Sequence, residues 1–166
     1  GTTVSVYSDI VAALQVRVQA ATDEGTVHAY ERWNANWSDY LDQFKSTIGG
    51  VDQIRGWVVT MDEQNPIVGG MGSARYGAIT RVYNALVFGV MGLKDSSNTE
   101  TTFLNLVESV LDVLDGRTDL GLAAVVDYSV GPATVRLYQH RMFGSVLCHY
   151  CEIAVPVEVT KELTYA

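Results

Sequence analysis

The residues of this chain able to carry chemistry are few: two cysteines, Cys148 and Cys151, and three histidines, His28, His140 and His149. Cys148-His149-Tyr150-Cys151 has the Cys-x-x-Cys spacing that holds zinc when the pair sits on a turn that lets both sulfurs converge. Here it falls inside an alternating apolar run. In a strand an offset of three sends two side chains to opposite faces, which opposes both metal chelation and a disulfide. No second Cys/His pair completes a ligand set. Packing is therefore the favoured role of both thiols, and no metal or cofactor is implied. A histidine can serve as a general base, with Asp127 or Glu152 completing a triad. Ser73 and Ser145 each adjoin glycine, yet neither completes Gly-x-Ser-x-Gly. His140 and His149 are expected on adjacent strands, as neighbours in a hairpin.

Two further patterns have both a bland and a sharp reading. Gly69-Gly70-Met71-Gly72-Ser73 resembles a phosphate cradle, but it lacks the Lys-Ser/Thr pair and strand-like residues follow it. A flexible linker and a loop that orders against a partner both remain open. Trp33, Trp37, Tyr40 and Phe44 suit either a second small core or an interface, and burial trends favour the core.

The elements that must position these groups follow from periodicity. Tyr7, Ile10, Val11, Leu14 and Val18 form the apolar stripe of a helix over roughly residues 5–20, and a short strand is expected near Val27 to Arg32. Asn36 caps a second, short helix carrying Trp37, Tyr40, Leu41 and Phe44, with Gly49-Gly50 as its stop. Ile54 to Met61 reads as a strand. Asp62 to Ala74 reads as the longest loop, and a long strand runs from Arg75 toward Leu93. Ser97-x-x-Glu100 is a capping box. Behind it Phe103, Leu104, Val107, Val110, Leu111 and Leu114 recur at helical spacing, ending at Gly116. Strands then cover about Leu122 to Val130, Thr134 to Phe143 and Val146 to Val159. On the last, Leu147, Cys151, Ile153, Val155, Val157 and Val159 share one face, and Cys148, Tyr150, Glu152 and Glu158 the other. The sum is a single α+β domain over residues 1–166: a largely antiparallel sheet with helices packed on one face.

Composition narrows the function classes. A chain of 166 residues with 48% hydrophobic and 18% charged residues is long and apolar enough for one real core. The net charge is −8, from 11 Lys+Arg against 19 Asp+Glu, with the basic residues scattered singly. That argues against a surface built to neutralise a phosphate backbone. The longest apolar run, Ala85 to Leu93, is about half the ~20 residues that a spanning helix needs, so no membrane role is expected. No charged segment followed by an apolar stretch opens the chain, so no secretory leader is expected. Two closely spaced cysteines suit synthesis in a reducing cytoplasm.

The order of elements resembles the tail-terminator (tail-completion) and neck proteins of long-tailed bacteriophages. The features that carry it are the N-terminal amphipathic helix, two strands separated by an insertion and a long loop, and Thr99-x-x-Thr102-Phe103 opening a helix. Leu111-Asp112-Val113-Leu114-Asp115-Gly116 and Tyr150-x-Glu152-Ile153-x-Val155-x-Val157 complete them. The segment Trp33 to Ile48 departs from compact versions of that pattern, which keeps a head-completion or adaptor role open. The resemblance implies a non-enzymatic virion protein, made in the host cytoplasm. It would assemble as a ring, usually a hexamer, between the tail tube protein and the head-completion or connector protein, with DNA passing without sequence-specific binding. Contact residues expected for such a part are Asp62, Gln64, Asn65, Ile67, Met71 and Arg75 in the long loop, with Arg141, Met142 and Phe143 at the last bend. The rivals are a small α+β enzyme using His140 or His149 with Glu152, and a ligand module with an aromatic pocket around Trp33, Trp37 and Trp57.

Overall fold

The computed structural model describes residues 6–21, 25–28, 44–48, 51–73, 78–93, 98–115, 126–143 and 146–162. Among these residues two helices, α1 (Val6–Gln19) and α2 (Thr99–Asp115), accompany eight strands: β1 (Thr26–His28), β2 (Lys45–Ile48), β3 (Val51–Met61), β4 (Ile67–Ser73), β5 (Ala78–Gly92), β6 (Val126–Val130), β7 (Thr134–Phe143) and β8 (Val146–Glu162). The chain is an α+β fold built on one sheet, antiparallel except where β1 runs parallel to β3.

The long strands β5 and β8 form the axis of the sheet, paired from Ala78↔Glu162 to Gly92↔Cys148. Their outer edges are each divided between two shorter strands. On β5, β3 occupies Ala85 to Met91 and β4 occupies Ala78 to Tyr83. On β8, β7 occupies Val146 to Ala154 and β6 occupies Val157 to Lys161. Asn84 lies at the junction of β3 and β4 and ties them end to end. Its carbonyl accepts from the Asp62 amide and its own amide donates to the Pro66 carbonyl, both at 2.9 Å. Its side-chain Nδ2 donates to the Asn65 carbonyl at 2.9 Å.

The connection over Asp62 to Pro66 is thus short, and the expected loop of 62–74 is corrected: Ile67–Ser73 is a strand. Its glycines have weak strand preference, but the N-terminal half of β5 offers ladder groups that must be paired. The register slips by one residue between Val68 and Met71, a bulge that falls on Gly69-Gly70. Residues 45–48 correct a second expectation, being strand and not the end of a helix. Ile48 pairs with Val51, so Gly49-Gly50 separates partners of an antiparallel ladder, a place where glycine pairs are as much at home as at a helix stop. The helix expected from Asn36 lies outside the described residues, as do Ser97 and Gly116. The first helical acceptor of α2 is the Asn98 carbonyl, bonded to Thr102 N–H at 3.4 Å.

Both helices pack on one sheet face. Ile10, Val11, Leu14 and Val18 of α1 join Phe103, Leu106, Val107, Val110 and Leu114 of α2 over Trp57, Val59, Val87, Cys151, Ile153, Val155 and Val157. Two residues leave the expected stripes: Tyr7 is 40% and Leu104 45% exposed, while Leu106 is buried. A 100° step per residue makes 103, 106, 107, 110 and 114 the narrower arc, and the sheet accepts only that arc. The opposite face carries a second cluster of Phe44, Val58, Leu86, Phe88, Val90, Phe143, Cys148 and Tyr150, to which neither described helix contributes.

Trp57 is fully buried, and space for it is made on β5 by the absence of a side chain at Gly89. A Cβ there would sit 2.6–2.8 Å from three indole ring carbons. Gly89→Ala is expected to destabilise the fold by about 1–3 kcal/mol through overpacking, read as a lower urea midpoint with an unchanged slope. An unmoved midpoint would refute this seating of Trp57.

Candidate functional site

Because β8 alternates, its chemically interesting residues are dealt to two faces, and each face builds a separate site. The first lies on the helix-free side. There an open hollow of about 490 Å³ is floored by Leu86 and Phe88 and rimmed by Asp62, Glu63, Arg136, Arg141, Tyr150 and Glu152. Arg136 is the extra residue of a bulge where β7 slips against β8 between Val135 and Leu137. From there its guanidinium pairs through Nη1 with Asp62 Oδ2 and, at 3.4 Å through Nε, with Glu152 Oε2. The Tyr150 hydroxyl donates to Glu152 Oε1 at 3.0 Å. Arg141 lies over the Tyr150 ring, 4.1 Å from its centroid, a cation–π contact.

Asp62 has a second role. Its Oδ1 accepts from the Gln64 amide at 2.9 Å and the Asn65 amide at 3.3 Å, which holds the turn leaving β3. The Gln64 amide first, and the Arg136 guanidinium next, hold its carboxyl below the usual aspartate value. The network therefore spans three parts of the chain: the end of β3, the bulge of β7 and the middle of β8.

The second site lies under the start of α2. His149 is 1% exposed and directly opposite His140 in the β7–β8 ladder, with ring centroids 5.1 Å apart. Its Nε2 is 2.9 Å from Thr99 Oγ1 and its ring stacks on Phe103 at 5.4 Å. Phe103 also stacks on Trp57 at 6.4 Å and on Tyr138 at 6.0 Å. Beside the histidine pair is a pocket of about 100 Å³ lined by Leu93, Asn98, Thr99, Glu100, His140 and His149.

The histidines are thus hairpin neighbours, as their spacing implies, but Glu152 does not join them. Three residues from His149 along a strand, it faces the other side and binds Arg136 and Tyr150. The grouping of His140, His149 and Glu152 is corrected accordingly. Cys148 and Cys151 are likewise split, one in each core cluster, and both are free. Among the described residues no three His, Cys, Asp or Glu side chains gather to hold a metal. His28 lies on β1, its ring edge-on to Phe44 at 5.7 Å. Asp127 on β6 pairs with Thr160, far along β8 from both histidines. Trp57 is packed in the core, so it lines no aromatic pocket; Trp33 and Trp37 lie outside the described residues, as does Ser145.

The expected contact residues divide in the same way. Asp62, Gln64 and Asn65 form the turn after β3; Ile67 and Met71 lie on β4, and Ile67 is 47% exposed. Met142 is 55% exposed near the end of β7, and Arg141 stands on the hollow's rim. Phe143 is corrected: it is 5% exposed and belongs to the helix-free cluster, because its place on β7 turns the ring toward Tyr150. Arg75 lies outside the described residues. Sequence reasoning passed over Arg136 entirely, since nothing in a lone arginine on a strand announces the bulge that aims it.

Two outcomes follow. Replacing Arg136 with Met should raise the Asp62 titration, seen by carboxyl-carbon NMR, toward the ordinary aspartate value but not fully to it, because the Gln64 amide remains. The sign is that of a depressed carboxylate: its contribution to stability is present above the ordinary value and is lost as pH falls through the folded one. Burial pushes the Cys148 thiol up to about 11 and Cys151 up to about 12. Both should resist a thiol reagent at pH 8 in the native protein and react promptly in denaturant.

No known protein-family model matches this chain, and no curated protein matches it.

Proposed function

We propose that this chain is a structural virion protein of the phage head–tail junction, a ring-forming subunit that closes the tail tube and joins it to the neck. The observation that carries the reading is the length of β5 and β8, 15 and 17 residues, with two shorter strands dividing the outer edge of each. Their far ends are flanked by β4 and β6, whose outer edges have no strand partner among the described residues. Ile67 and Val68 on β4 are 47% and 46% exposed. Open strand edges with exposed apolar residues are a hazard in a free monomer and an asset in an assembly. Two different edges, one on each side of the sheet, suit a heterologous contact that closes into a ring. The order of elements supports the same reading through its resemblance to tail-terminator proteins. The excess of acidic residues is compatible with DNA passing close by without sticking.

In this reading the short turn at Asp62 to Asn65 and the exposed residues of β4 and β7 are the surfaces offered to neighbouring copies, tail tube and connector. Light scattering after gel filtration over a range of concentrations should find oligomers, and negative-stain microscopy should find rings. Placing Lys at Ile67 and Val68 together should return the protein to monomer without loss of far-ultraviolet signal. A protein that stays monomeric at every concentration, and also with purified tail tubes present, would refute the proposal.

A further inference from the structure

We infer that His149 is an acid-sensitive latch that holds the first turn of α2 on the β7–β8 hairpin. The ring is enclosed on all sides that the structure describes: Thr99 and Phe103 of α2 contact it, and His140 of β7 lies opposite. Among the described residues only Nε2 has a hydrogen-bond partner, the Thr99 hydroxyl, and the buried Nδ1 has none.

The neutral ring satisfies this setting with Nε2–H donating to Thr99 Oγ1, which leaves a lone pair unmet at Nδ1. Protonation converts that lone pair into a buried N–H without an acceptor and places a charge on a ring that is 1% exposed. Among the described residues, the titratable and charged groups facing the ring are few. His140, on β7, is exposed, and in its charged form it opposes a second positive charge 5.1 Å away. Glu100, on α2, favours the charge but stands in solvent, where its field is screened. Tyr138 on β7 and Cys151 on β8 stay neutral, the thiol being pushed up to about 12 by burial. Met91, the β5 partner of His149, carries no charge. Burial first and His140 second hold the His149 ring below the ordinary histidine value, with Glu100 opposing.

Docking of the helix turn is therefore complete above the ordinary histidine range. It weakens as pH falls below that value, because the undocked ring binds the proton more readily. Between the undocked and docked values, each pH unit shifts the docked-to-undocked ratio by about tenfold. Release begins at the Thr99–His149 bond, opens the pocket of about 100 Å³ between Asn98 and His140, and frees one face of Phe103. None of the described contacts of His149 comes from helix α1, which serves as the internal control.

The test is amide hydrogen exchange at pH 7.5 and 5.0, corrected for the intrinsic rate, together with an imidazole NMR titration. In the wild-type chain, peptides over residues 99–107 should lose more protection than those over residues 6–19, by up to about tenfold per pH unit below the ordinary histidine value. His149→Gln keeps a group able to bond Thr99 but does not titrate, and should hold the same protection at both values. His140→Ala, at an exposed position, removes the opposing charge, brings the docked ring's proton affinity nearer that of the undocked ring, and should move the release midpoint to lower pH. Retained protection at pH 5.0 in the wild-type chain overturns the latch, as does an equal loss in His149→Gln. If His149→Gln does not fold, an unmoved or raised midpoint in His140→Ala overturns it instead.

Discussion

The antiparallel pairing of β5 with β8 is the constraint on which every other feature of this protein depends. All 15 residues of β5 have a partner on β8, and every other strand except β1 and β2 is hydrogen-bonded to one of the two. Since side chains alternate along both strands, this single register assigns each residue to a face. Odd positions such as Tyr83, Ala85, Val87, Cys151, Ile153 and Val155 meet the helices, and even positions such as Leu86, Phe88, Val90, Cys148 and Tyr150 build the opposite cluster. A slip of one residue would exchange the two sets, taking His149 from under α2 and Glu152 from beside Arg136.

The two faces are stabilised by different physics. On the helix side the contacts are aromatic, with Phe103 stacked against Trp57, His149 and Tyr138. Such pairs contribute roughly 0.5–1.5 kcal/mol each beyond the area they bury. The same face tolerates unmet polar groups, since neither Trp57 Nε1 nor His149 Nδ1 has a partner among the described residues, and each costs about 1–3 kcal/mol relative to a bonded state. On the other face charges converge from three separated segments and stay partly wet. The Arg136 side chain is 42% exposed and that of Asp62 23%. Ion pairs that open to water are worth about 0–1 kcal/mol. Their effect there is to fix the position of a bulge and a turn, more than to add stability.

Where periodicity was strong, the sequence was legible. The alternation of Cys151 to Val159, the stripe of Ile10, Val11, Leu14 and Val18, and the span of Thr134 to Phe143 all reappear in the fold. The readings that failed share a cause. Ile67–Ser73 contains three glycines, so its own residues speak for a loop, and only the unpaired half of β5 recruits it. Lys45–Ile48 is short and follows an aromatic helical pattern, and the partner that makes it a strand lies across Gly49-Gly50. Leu104 and Leu106 are equally apolar, and which of them is buried depends on how α2 is rotated over the sheet. Phe143 ends a strand next to a glycine, which reads as exposure until the neighbouring Tyr150 and Cys148 are in place.

The chain by itself determined the α+β class, the placing of the helices on one face, the opposed cysteines and the pairing of His140 with His149. Each follows from a period of 3.6 or 2 acting over neighbouring residues, which is local information. The tertiary structure alone decided that Arg136 meets Asp62 and Glu152, that Glu152 and His149 are strangers, and that Thr99 reaches the buried imidazole 50 residues away. Those contacts depend on a bulge, a register and a helix rotation, none of which is encoded by the pattern of any one segment. They are set when β5, β7, β8 and α2 bury their surfaces together.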